Sequence, residues 1–145
     1  NITSILWLAC ELIEHNIIID KYGNIWHTEG DDNYVNPSDK IDLDGAIDIH
    51  NHIITQSFSD QDIKFMKEHL NTTFILVDKN NTYRVKFLKK LDMPYNDLYH
   101  YGLQEADKIN DFSKVEDFYM EYLKDKGYIE YEKYSRYTRM QQTNW

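Results

Sequence analysis

Ile2, Ile5, Leu6, Ala9, Leu12 and Ile13 recur at the spacing of one helical face, so the chain is predicted to open with an amphipathic helix ending near Glu14. The pattern then changes period. Asn16-Ile17-Ile18-Ile19-Asp20 reads as a buried strand, Lys21-Tyr22-Gly23-Asn24 as a turn, and Ile25-Trp26-His27-Thr28 as the hairpin partner. From about Glu29 to Asp44 the residues are rich in Asp, Asn, Gly, Pro and Ser, which predicts a long loop with a short strand around Tyr34-Val35.

Ala46-Ile47-Asp48-Ile49-His50 predicts a short strand in which Asp48, alternating with two isoleucines, faces away from the core. Ser59 opens a helix to about Leu70, and Thr73–Val77 and Thr82–Val85 form a hairpin across Asp78-Lys79-Asn80-Asn81. The remainder reads as helical and tyrosine-rich. Ser113-Lys114-Val115-Glu116 has the form of a capping box for a helix to about Lys126, with Gly127 as its stop. The order helix, hairpin, strand, helix, hairpin, helices predicts a mixed α/β fold with a largely antiparallel or mixed sheet.

Composition narrows the function. At 145 residues the chain is expected to be one domain with a core that needs no disulfide. Its 25 acidic and 16 basic residues give a net charge of -9, which argues against nucleic acid as a partner and is compatible with a neutral or basic protein substrate. The single cysteine, Cys10, excludes an intramolecular disulfide, a thiolate zinc cluster and a CxxC redox pair, and its apolar setting reads as a buried structural thiol. No apolar run is long enough to span a bilayer, and the first residues lack the basic leader of a secretory signal, so no membrane association and a cytoplasmic location are expected. The chain does not start with methionine and is read as a domain of a longer protein.

The candidate chemistry lies at 50–62. His50-Asn51-His52 is followed by six residues and then by Ser59-Asp60-Gln61-Asp62, an H-x-H…S-x-x-D arrangement. Two imidazoles one residue apart at a strand end reach one ion if the chain turns there. Asp62 from the next element makes a third ligand, leaving a fourth tetrahedral position for water, whose pKa a zinc ion lowers toward neutrality. A hydrolase also needs a carboxylate to move the proton. Glu14 is the candidate and Glu11, one helical turn earlier, its competitor. The Ser59 hydroxyl is suited to an oxyanion. The competing reading of S-x-x-D is a capping box, with Ser59 as N-cap and Asp62 three residues on, which needs no catalysis. His15 and His27 border the first hairpin and read as surface or half-buried histidines, and His69 and His100, in helical stretches, carry no ligand spacing. The adjacent letters HNH do not make a nuclease, whose named residues are spread through a ββα unit, and a nucleobase deaminase needs cysteines that are absent here.

Glu14, His50-Asn51-His52 and Ser59-x-x-Asp62 together resemble the JAB/JAMM (MPN-type) zinc metalloprotease domain, whose pattern is a glutamate, H-x-H and S-x-x-D. The spacing is similar to prokaryotic, phage- and toxin-associated members. The proline that usually follows the second histidine is Ile53 here, which removes a stiffener of the turn but no ligand. The resemblance covers roughly residues 1–90, the expected peptidase core, with 91–145 a mainly helical extension packed on it. It implies a cytidine-deaminase-like mixed sheet flanked by helices, Zn²⁺ held by His50, His52 and Asp62, Glu14 as general acid/base and Ser59 as oxyanion helper. The implied substrate is a protein or peptide, ubiquitin-like tails included. The alternative is a non-catalytic binding or assembly module on the same fold. The C-terminal tyrosines, among them Tyr95, Tyr99, Tyr119, Tyr131 and Tyr137, would then supply a contact surface, although packing of the helices is the favoured reading of them.

Overall fold

The β-branched run at 17–19 and the short apolar segments after it do form strands, and a computed structural model describes them within residues 7–8, 13–30, 41–53 and 57–135. In chain order these are β1 (Glu14–Ile19), β2 (Ile25–Gly30), β3 (Ile47–Asn51), α1 (Asp60–Glu68), β4 (Thr73–Val77) and β5 (Asn81–Phe87). Then come α2 (Tyr95–Lys108), a 3-10 turn (Phe112–Lys114), α3 (Val115–Asp125) and β6 (Ile129–Ser135). One six-stranded sheet runs β2-β1-β3-β4-β5-β6. Only β3 and β4 are parallel; every other neighbouring pair is antiparallel. The described residues thus form a mixed α/β fold with a six-stranded mixed sheet and three helices.

Local chemistry sets the turns. Asp20 accepts the backbone N–H groups of Tyr22 and Asn24, both at 2.9 Å, and Gly23 takes the positive φ of 87° that closes the β1–β2 hairpin. The parallel β3–β4 pair requires a crossover, which α1 provides. Ile63 and Met66 of α1, Leu98 and Ala106 of α2, and Val115, Tyr119, Met120 and Leu123 of α3 share one core with Phe74, Leu76, Val85, Phe87, Ile129 and Tyr131 of the sheet. Phe74, Val85 and Tyr131 stand in one cross-strand row, so all three helices pack on the same sheet face.

Two expectations are corrected and one boundary is fixed. Residues after 90 are not only helical: β6 pairs with β5 along its length, Val85 opposite Tyr131 and Phe87 opposite Ile129. Its alternation is weak because only Ile129 and Tyr131 are buried, while Glu132 and Lys133 are exposed, as suits a sheet edge. Ser113 does not cap α3. Asp111 accepts its backbone N–H at 3.1 Å to start the 3-10 turn, and Glu116 turns inward to Ser57. Glu14 and His15 lie in β1, so the first helix ends before them, with Trp7 and Leu8 helical. Cys10, Glu11, the strand expected at Tyr34-Val35, most of the 29–44 loop and Tyr137 lie outside the described residues. Of the tyrosines, Tyr119 and Tyr131 are buried, and Tyr95, Tyr101, Tyr122 and Tyr128 pack against the core, in line with packing as their main role. Among the described residues no helix is long and apolar enough to cross a membrane.

Candidate metal centre

β3 is where the sheet changes from antiparallel to parallel, and its carboxyl end carries the histidine pair. A chain leaving that end to build the crossover must begin its helix above the strand ends. Open α/β sheets hold ligands at such switch points. His50 and His52, two residues apart, project to the same face of the sheet. The His52 backbone is fixed by an N–H donated to the Val77 carbonyl at 2.9 Å, which prolongs the parallel ladder beyond β3. Asp62, in the first turn of α1, meets both rings. Its Oδ1 lies 3.6 Å from His50 Nε2 and its Oδ2 3.3 Å from His52 Nε2.

His50, His52 and Asp62 offer donor atoms all within 4.8 Å of one another, a group able to hold a metal ion. The donor set passes a test of fit. Around a tetrahedral ion with bonds of about 2.0–2.2 Å, ligand atoms stand about 3.4 Å apart. The observed separations bracket that value. His50 Nε2 is buried with no hydrogen-bond partner among the described residues, a position that a cation would satisfy.

The capping box predicted from S-x-x-D is present in full. Ser59 Oγ accepts the Asp62 N–H at 3.1 Å, and Asp62 Oδ2 accepts the Ser59 N–H at 2.9 Å. The two readings of the motif are therefore one geometry: the carboxylate that closes the cap is the one that faces the imidazoles. Burial opposes its charge, but His50, His52 and the Ser59 N–H outweigh that and hold the Asp62 pKa well below the usual carboxylate range.

Glu14 begins β1 and is buried. The β1–β3 register sets Asn16 opposite His50, and continuing it one ladder step of two residues sets Glu14 opposite His52, on the site's face. Glu14 is not one of the three grouped donors.

Asp48 corrects the sequence reading. It faces inward and is 3 % exposed, whereas Ile47 is exposed on the reverse face. Asn16 donates its side-chain amide to the Asp48 carboxylate and to the Ile49 carbonyl, the latter at 3.3 Å. Burial pushes the Asp48 pKa up, against the pull of His50 and of that amide. The signal was available: positions 48, 50 and 52 share a strand face, so two histidines that turn toward Asp62 carry Asp48 inward with them. Asn51 was also overlooked. Its amide, fully buried on the opposite face, accepts the His15 N–H at 2.6 Å and donates to the Ile13 and Leu8 carbonyls at 3.0 and 3.3 Å. It ties the segment that carries Glu14 to the strand that carries the histidines. His69 instead closes α1, its ring stacked on Phe65 and its Nδ1 2.7 Å from the Phe65 carbonyl. In comparisons with known proteins, no family model, no curated protein and no solved structure matches this chain.

Proposed function

We propose that this domain is a zinc-dependent metallopeptidase of the JAB/JAMM type, cleaving a peptide or isopeptide bond in a protein substrate, ubiquitin-like tails within that class. The observation that carries the reading is the convergence of His50, His52 and Asp62 at the carboxyl end of β3, with a buried His50 Nε2 that makes no hydrogen bond among the described residues. Zinc held by these residues supplies a Lewis acid and a water acidic enough to attack a carbonyl at neutral pH. Glu14 takes a proton on its carboxylate and returns it to the leaving amine. Ser59 Oγ spends a lone pair on the Asp62 N–H, and its hydroxyl hydrogen is left to bind the carbonyl oxygen as negative charge develops there. Asp62 keeps its charge because both rings and a backbone N–H favour it.

Metal analysis paired with a fluorescence-quenched library of peptide and isopeptide substrates tests the proposal. Asp62→Asn is expected to lose one equivalent of zinc and all turnover, whereas Glu14→Gln keeps its zinc and loses roughly 10²-fold or more in rate. Unchanged zinc in Asp62→Asn overturns the ligand set, and a wild-type rate in Glu14→Gln overturns the role of Glu14. A binding or assembly module is the second reading, favoured by the exposed Tyr22, Ile25 and Trp26 on the edge hairpin. Zinc-loaded protein inert toward the whole library supports that reading.

A further inference from the structure

A second set of donor side chains occupies the reverse face of the same strands. His15 stands directly opposite Glu29 in the β1–β2 ladder, and His27 is opposite Ile17, one step along on the same face. Alternation along β1 separates this group from the first: Glu14 and Asn16 belong to the His50 face, His15 and Ile17 to the other. His15 Nδ1 and His27 Nε2 are 2.8 Å apart, with the rings stacked at a centroid distance of 5.1 Å. One ring nitrogen of each histidine and one carboxylate oxygen of Glu29 all lie within 4.8 Å of one another.

The three side chains divide the work of a binding site. His15 is buried, its backbone held by Asn51 and its ring 5.0 Å from that of Trp7, so it is a fixed ligand. His27 and Glu29 are exposed and give an ion an approach from solvent. At this distance the two rings form one hydrogen bond. An ion in its place needs the nitrogens about 3.4 Å apart, an opening that the exposed His27 ring absorbs. Two neutral imidazoles and one carboxylate suit a divalent ion of the zinc class, better than the all-oxygen shells of calcium or magnesium.

We infer that His15, His27 and Glu29 form a second metal site, for zinc or a similar divalent transition ion, on the sheet face opposite His50, His52 and Asp62. An ion there bridges β1 and β2 and braces the edge hairpin. The site does not depend on the peptidase reading, because it shares no ligand with the first.

Zinc titration of the metal-stripped protein, with bound metal counted by mass spectrometry and the histidine ring nitrogens followed by NMR, tests it. Wild type is expected to take up about two ions, and both His27→Ala/Glu29→Ala and His50→Ala/His52→Ala about one each, one per site. The His15 and His27 resonances should shift in wild type and in His50→Ala/His52→Ala. His27→Ala/Glu29→Ala changes only exposed residues, so its fold is expected to survive, as circular dichroism would verify. If that variant binds as much zinc as wild type, or if zinc leaves the His15 and His27 ring nitrogens of wild type unmoved, the pair is a hydrogen-bonded pair only and the inference fails. An ion retained in His50→Ala/His52→Ala and lost in His27→Ala/Glu29→Ala supports it, whether or not the first site binds.

Discussion

Asn51 lies between His50 and His52 but points the other way, and its replacement should loosen the N-terminal segment before anything else. In Asn51→Ala three hydrogen bonds vanish together: one from the His15 N–H and two to the Ile13 and Leu8 carbonyls. Each net bond is worth about 1 kcal/mol, and a buried partner left unsatisfied costs about 1–3 kcal/mol. The His15 N–H and the Leu8 carbonyl are both enclosed, since each residue is 2 % exposed. A loss of about 3–5 kcal/mol follows, a large share of the roughly 5–15 kcal/mol that holds a domain together. Asn51→Asp sharpens the test. Its carboxylate still accepts the His15 N–H but has nothing to donate to the two carbonyls, and burial among them raises its pKa above the unfolded value. The proton is then held more tightly in the folded state, so this variant is most stable below the unfolded pKa and loses stability as pH rises through the folded one. Urea unfolding gives the magnitudes, and hydrogen exchange gives the place: β1 amides should lose protection while β4 and β5 keep theirs. A cost below about 1 kcal/mol for Asn51→Ala, or protection lost evenly across the sheet, would refute the account.

Glu116 accepts a hydrogen bond from Ser57, and burial pushes its pKa up to about 7. The folded protein therefore holds a proton that the unfolded chain releases, so this contribution is present below about pH 4.5 and is lost as pH rises through 7. Thermal unfolding of Glu116→Gln should lack that decline, with a difference from wild type of at most about 3 kcal/mol between the ends of the window; parallel pH profiles would sink the assignment. Gly102 lets α2 approach α3, since a Cβ there would overlap the Val115 carbonyl oxygen and sit 2.9 Å from its Cγ1. Gly102→Ala should lower stability by about 1–2 kcal/mol, overpacking outweighing the gain in helix propensity; a stabilised variant in urea unfolding would show that the helices part freely. Ser59→Ala should cost about 1 kcal/mol of stability through the lost cap. If Ser59 is also an oxyanion donor, kcat falls roughly 10²-fold in zinc-loaded protein, and unchanged kcat leaves it as a cap alone.

How much could be read from the sequence depended on whether one strand or two had to be known. The strand before His50, the helix opened by Ser59 and both hairpins follow from local period and turn residues, and they stand where expected within a residue or two. Asp48 was misplaced because Ile47 and Ile49 suggest that odd positions face the core. Here the odd positions take the half-exposed sheet face, and the even ones carry Asp48 and His50 beneath α1. β6 was missed because its pairing is made with β5, more than forty residues away, and only two of its residues are buried. The His15–His27 contact needed only the hairpin. Once Gly23 fixes the turn, counting back from Asp20 and Asn24 pairs 17 with 27 and 15 with 29. Asn51 could not have been foreseen, since its acceptors at 8 and 13 come from a segment whose docking no local pattern specifies.

The double hold on Asp62 bears on how an ion enters and leaves. A surface aspartate recruited as a ligand gives up rotamer freedom when the metal arrives, and small zinc-built domains unfold when it departs. Here the Ser59 N–H fixes the carboxylate at 2.9 Å as part of starting α1, so the donor is aimed before any ion is present. The helix depends on its cap and its apolar face against the sheet, not on coordination. If zinc binds there, stripping with a chelator and reloading with added zinc should therefore be fast and reversible, with the far-ultraviolet circular dichroism unchanged throughout. An ion bound there would be a guest in a finished scaffold.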